Sequence, residues 1–354
     1  MAALPPDHPP VLTPKVGVLI LNLGTPDSTG YWDMRRYLKE FLSDRRVIEV
    51  NPIIWKFILN VVILTKRPFS SGEAYQSIWD HERNESPLRT ITREQSAKLA
   101  AHFNTRFGDE VVVDWGMRYG NPTTASKIKA LQDQGCQRIL LFPLYPQYAA
   151  ATTATACDQA FRALLKTRWQ PAVRTVPAYH DDPGYIEALA GSVETYLAKL
   201  DWTPDVLMTS FHGLPKRYLL AGDPYHCQCQ KTARLLRERL GWQEDKLQIA
   251  FQSLFGKEEW LRPYTVEHVA DLARQGKKNL AIMAPGFSAD CVETLEEIEE
   301  EIREAFEAAG GERFAYIPCL NADDEHITVL ANIIERELGG WIKPQTQTTT
   351  LAAE

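Results

Sequence analysis

Eight short apolar runs, each followed by a longer amphipathic stretch, constrain this chain more than any other feature. They lie at 16–23, 111–117, 138–144, 172–177, 205–211, 247–253, 279–284 and 314–317. The first reads VGVLILNL, apolar or Gly without alternation as far as Asn22. A run of that kind fits a strand covered on both faces, as in a parallel sheet. Helical spacing of apolar residues falls between them, near 31–43, 92–107, 123–134, 153–167, 184–199, 226–240, 264–275, 292–309 and 325–338. Parallel strands joined by helices build right-handed βαβ units, so the expected class is α/β. Eight strands divide into two fours. The expected architecture is two Rossmann-like domains, each a four-stranded parallel sheet flanked by helices, facing a central cleft. The expected limits are 15–170 and 171–340, with a disordered N-terminus at 1–14 and a flexible tail at 341–354. Five prolines in the first fourteen residues and the closing KPQTQTTTLAAE motivate those two ends.

Several function classes drop out at once. Lys and Arg number 39 against 46 Asp and Glu, a net charge of −7, which disfavours nucleic-acid partners. No G-x-G-x-x-G follows a strand and no G-x-x-x-x-G-K-[ST] occurs; the first strand ends in Asn22-Leu23-Gly24-Thr25-Pro26-Asp27. Six cysteines without a dense spacing pattern fit reduced thiols. No apolar run reaches a membrane span, and the N-terminus lacks the charged and apolar regions of a secretory signal. A cytoplasmic protein is expected. One stretch breaks the α/β rhythm: IIWKFILNVVIL at 53–64, whose only polar members are Lys56 and Asn60. It reads as a buried helix or as an exposed apolar lip facing a membrane surface or a greasy substrate.

Two clusters carry chemistry. His212 follows the fifth apolar run in a turn set by Gly213 and Pro215, where open α/β sheets place ligands. Imidazole exchanges protons near neutral pH. After the seventh run, Glu293, Glu297 and Glu301 are spaced four apart, on one face of a helix. Like charges in such a row repel, and a passing cation would relieve them. Glu296, Glu299, Glu300 and Glu304 read as a solvated face. Trp260, Phe287, Tyr145 and Tyr148 are candidates for a flat apolar wall, and Lys66, Arg67, Arg118 and Arg35 for a basic rim.

With these residues in place the chain resembles the ferrochelatases, which insert Fe²⁺ into a porphyrin at the end of haem synthesis. The resemblance covers about residues 16–340 and rests on LNLGTPD at 21–27, LYPQY at 144–148, SFHGLP at 210–215, GDPYHCQC at 222–229 and FSADCVETLEEI at 287–298. It implies a lyase that inserts Fe²⁺ into protoporphyrin IX, forming protohaem and releasing two protons. A coproporphyrin III ferrochelatase, another tetrapyrrole chelatase and a porphyrin carrier are the alternatives. By position, His212 and Glu293 are the residues assigned to iron; His212 accepts pyrrole protons, and Glu297 and Glu301 stand behind Glu293. Arg67 and Ser86 match positions that hold propionates, Leu23, Tyr119, Trp260 and Phe287 match cleft-lining positions, and 53–64 matches the apolar lip. Asp290 falls on an acidic position, and Cys291 stands where relatives often carry a second His. Fe²⁺ is a substrate, so no cofactor is required. A [2Fe–2S] cluster is not expected, because no Cys follows Cys319 and Ala150 stands where cluster-bearing relatives place one. The expected protein is a monomer or weak dimer touching the inner membrane face peripherally through 53–64.

Overall fold

The structure, a computed structural model, describes residues 5–256 and 258–342. All eight apolar runs are strands: β1 (Lys15–Thr25), β2 (Val111–Gly120), β3 (Cys136–Pro143), β4 (Ala172–Thr175), β5 (Val206–His212), β6 (Leu247–Gln252), β7 (Asn279–Met283) and β8 (Arg313–Ile317). They form two four-stranded parallel sheets of the same winding, β2-β1-β3-β4 and β6-β5-β7-β8. In each, the strand order reverses beside the first strand. Ligand crevices of open α/β sheets open at that point, at the carboxyl ends of the strands. Asn22–Thr25 and His212 therefore sit where the topology puts chemistry.

The unbroken apolar runs are explained by burial on two sides. Val16, Val18 and Ile20 of β1 enter one core cluster, and Leu19 and Leu21 enter another. Leu207 and Phe211 of β5 and its neighbours Val206 and Met208 divide the same way. The clusters under Ile20 and under Leu207 are one and the same. They share a layer made by the helices Pro87–Phe107, Pro183–Leu197, Tyr225–Leu240 and Asp324–Glu337.

That shared layer corrects the expected domain limits. β4 pairs with β3, Arg138 against Ala172, so a division at 170/171 cuts the first sheet. The expected tail also starts too early. Trp341 packs under the Arg174 guanidinium, 4.3 Å from the ring centre, and its carbonyl accepts from Arg138 Nη1 at 2.8 Å. Residues 5–14 are exposed and form neither helix nor strand; 1–4 and 343–354 lie outside the described residues.

The stretch 53–64 belongs to a longer helical arm: Pro52–Ile58, a π turn at Leu59–Ile63, and Leu64–Ser77. The helix Leu64–Ser77 was not legible in the sequence. Asn51 caps the arm, its side chain accepting from Ile53 N at 3.0 Å. Leu59 and Leu64 are buried, whereas Ile53 is 81% and Phe57 67% exposed, so the stretch is an apolar lip and not a buried helix. Among the described residues no helix is long and apolar enough to cross a membrane.

Candidate active site

His212 ends β5, opposite Gln252 at the end of β6. Its Nδ1 lies 2.6 Å from the carbonyl of Gly213. A carbonyl only accepts, so Nδ1 donates, and in the neutral tautomer that this contact selects the acceptor is Nε2. Gly213 is required: a Cβ there would lie 2.6 Å from the Gln252 carbonyl oxygen and 3.1 Å from the Trp260 ring. Thus Trp260 is seated against the turn that carries His212.

The acidic helix begins at Cys291, whose capping box with Thr294 starts a short turn, Val292–Leu295. Gln252 ties this turn to the imidazole strand. Its Nε2 donates to the Glu293 carbonyl at 2.6 Å and to the Glu297 carboxylate at 3.1 Å, while its Oε1 accepts from Ser210 at 2.7 Å. Glu297 also accepts from the Ser253 backbone N–H at 2.6 Å and from the Ser253 hydroxyl. Burial pushes the Glu297 carboxyl above its ordinary range, against the pull of Ser253, the nearby His212 imidazole and Gln252; Glu293 adds to the push. His212, Glu293 and Glu297 are therefore one electrostatic group. Gln252 and Ser253 are the members that reading the sequence missed.

A π turn at Glu297–Ile302 alters the expected acidic row. Glu301 N–H donates to the Glu296 carbonyl at 3.2 Å, five residues back. The wider turn brings Glu296 to the edge of the row, so it is half-buried and not part of a solvated face. Burial first, then Glu301, Glu300, Glu297 and Glu293, push its carboxyl from the ordinary 4.5 up to about 7. A raised carboxyl favours the native state while protonated, and that contribution is lost as pH climbs from about 4.5 through 7. Glu296→Gln is expected to raise Tm near pH 8 and leave it unchanged near pH 4; an equal Tm shift at both pH values contradicts this.

The remaining site residues divide. Leu23 and Phe287 meet in one small apolar cluster with Leu88, Ile91, Ala289 and Cys291. Arg67, on the lip arm, lies 4.9 Å over the Phe255 ring from the loop after β6, so it reaches across to the second half. Burial lowers its pKa, and among the described residues no carboxylate lies within 4.0 Å of it. A half-buried guanidinium without a partner is a fit receptor for a carboxylate.

Ser86 and Tyr119 do not line an open cleft. Ser86 is 1% exposed at the start of the helix Pro87–Phe107. Tyr119 is fully buried, donating to Asp44 at 2.9 Å beneath the Arg118 guanidinium. The aromatic ring is core, held by a buried ion pair between Arg118 and Asp44. Asp290 is likewise internal. It accepts from Tyr316, Cys319 N and Asn321 Nδ2, which anchors the start of the acidic helix.

Two motif blocks turn out to be a seam between the halves. In LYPQY, Gln147 donates to Thr232 at 3.0 Å and Tyr148 N to Gln228 at 2.7 Å. Ala150 N donates to Asp223 of GDPYHCQC at 2.8 Å. Of the six cysteines only Cys227 is exposed. Among the described residues no three His, Cys, Asp or Glu side chains gather closely enough to hold a metal ion.

Comparison with known proteins agrees with this geometry. The ferrochelatase family model matches residues 15–338. A ferrochelatase of Rhodobacter capsulatus is 64% identical over 339 residues, 96% of this chain and 97% of that protein. One from Agrobacterium fabrum is 59% identical over 342 residues, 97% and 99% of the two chains. Among solved structures, SirB from Bacillus subtilis with Fe³⁺ superposes with a TM-score of 0.54 at 13% identity, over 91% of this chain and 95% of that one. The sirohydrochlorin chelatase SirB with cobalt gives 0.52 at 11% identity, over 92% and 97%. Such low identities bear on the fold alone, which is the two-sheet fold of chelatases. The chain belongs to the ferrochelatase family, the metal chelatases that insert Fe²⁺ into a porphyrin in haem synthesis.

Proposed function

We propose that the porphyrin is protoporphyrin IX and that its metallation runs between His212 and the Glu293–Glu297 pair. The observation that carries this reading is Gln252, which lies opposite His212 on the neighbouring strand and donates to the Glu293 carbonyl and the Glu297 carboxylate. Insertion exchanges two pyrrole N–H protons for one Fe²⁺, so it needs proton acceptors and a way to strip water from the cation. His212 Nε2 accepts pyrrole protons. Glu293 meets the metal, and Glu297, held by Ser253 and Gln252, takes up charge or protons behind it. Leu23, Phe287 and Trp260 form the apolar wall against which the macrocycle is held bent, the form whose nitrogen lone pairs a metal can reach. Arg67 receives a propionate. No oxidation state changes, so the reaction calls for no redox cofactor.

Anaerobic insertion of Fe²⁺ or Zn²⁺, followed by absorbance, tests the substrate. kcat/KM for protoporphyrin IX is expected to exceed that for coproporphyrin III by about tenfold or more, as the apolar lip favours two carboxylates over four. The reverse ratio assigns the protein to coproporphyrin. The lip also makes peripheral membrane contact in this proposal. Replacing Ile53, Ile54 and Phe57 together by Ser is expected to abolish co-sedimentation with liposomes, and unchanged co-sedimentation removes the membrane from the account.

A further inference from the structure

We propose that two adjoining cavities at the root of the lip, separate from the His212–Glu293 crevice, bind a phosphate group, the larger one being lined by a surplus of cations. The cavities measure about 550 and 720 Å³ and share Asp44, Arg45 and Arg162. Three of their four carboxylates are already held by cations. Asp44 is bound by buried Arg118, Asp158 by Arg46 at 3.0 Å, and Glu49 by Arg217 at 2.6 Å. Glu40 accepts from Gly120 N at 3.0 Å. What remains is a surplus of cations in a chain of net charge −7. Among the described residues Lys39 and Arg45 have no carboxylate within 4.0 Å, and Arg162 has only Asp158 at 3.5 Å, which Arg46 already holds.

Arg118 supplies the built part of the site. It is 6% exposed; its Nε donates to Thr155 at 2.6 Å and its Nη2 to Asp44. Its Nη1 makes no hydrogen bond among the described residues, having only Glu40 at 3.8 Å, and the residue lines the larger cavity. A fixed guanidinium lining a cavity with exposed cations at its rim matches a tetrahedral anion bearing several acceptor oxygens. The smaller cavity is bounded by Val50, Asn51 and Pro52, from which the lip rises. A phosphate of a lipid headgroup lies within reach if the lip enters a bilayer, and free phosphate offers the same chemistry.

The test uses the full chain and the combined variant Lys39→Ala, Arg45→Ala, Arg162→Ala, all three being exposed residues outside the metallation site. Titration with inorganic phosphate at constant ionic strength, read by calorimetry, is expected to saturate for the parent and to weaken at least about tenfold in the variant. Far-UV circular dichroism and Zn²⁺ insertion should match the parent. Equal phosphate affinity in both proteins, or no saturable binding in the parent, overturns the proposal. Sedimentation with phosphatidylcholine vesicles, with or without one-third phosphatidylglycerol, then separates the sources. Loss of the phosphatidylglycerol-dependent fraction in the variant assigns a lipid headgroup, and an unchanged fraction assigns free phosphate. The lip variant is the control for the membrane reading, which fails on vesicles alone and leaves phosphate binding in solution as it was.

Discussion

His212→Ala is expected to reduce metal insertion to background while porphyrin still binds, as read by fluorescence quenching. The imidazole ends β5, and with Nδ1 on the Gly213 carbonyl its Nε2 makes no hydrogen bond among the described residues. A positioned general base contributes about 100- to 10,000-fold, and two protons must leave each macrocycle, so the loss lies at the upper end of that range. Binding energy comes mostly from the apolar wall and Arg67, which the substitution leaves in place. Because Nδ1 also steadies the Gly213 turn, His212→Asn serves as a companion: it restores a donor there without a base. Activity restored by Asn would make His212 a turn residue only, as would joint loss of binding and turnover in both variants.

Glu293→Gln should lower turnover by about 100-fold or more with little change in porphyrin affinity. The exchange keeps the shape and removes the charge. The Glu293 backbone is fixed by Gln252 at 2.6 Å, and among the described residues its carboxylate enters no ion pair, so the charge is available to a cation. The defect should lie in the metal: a higher KM for Zn²⁺ or Fe²⁺ together with a lower kcat. Insertion at the parent rate would mean that the ion reaches the ring by a path that does not touch the acidic helix. Glu297→Gln should be milder, because Ser253 and Gln252 already hold that carboxyl and burial already favours its protonated form.

Much of the fold was legible because two-sided burial leaves a plain mark. β1 and β5 are apolar on both faces, so their runs could be read as parallel strands and their ends as a crevice. The limits of the halves were not legible in the same way. β4 is only AVRT, half-exposed, and nothing in four residues says which sheet they join. The places of His212 at a strand end and Glu293 at a helix start could be read from the sequence, but Gln252, which lies opposite the first and bonds the carbonyl of the second, looks in sequence like any polar residue ending a strand. The π turn was invisible for a related reason: a shift from four to five residues between hydrogen-bond partners leaves no trace in residue type. Glu296 was misplaced on its account. Resemblance alone matched Ser86 to a propionate-holding position and Tyr119 to a cleft-lining one, and both side chains are buried. Cys291, where relatives often have an imidazole, is buried at the N-cap of the acidic helix and packs in the apolar cluster with Leu23 and Phe287.

The single apolar layer beneath both sheets has a mechanical consequence. Two domains on a flexible linker could clamp down on a flat guest and spring apart to release it, but jaws cast on one block have no hinge between them. Close-packed interiors yield little under load. In such a frame the work of deformation falls on the guest: a planar ring entering a gap of set shape is the softer partner and takes up the curvature.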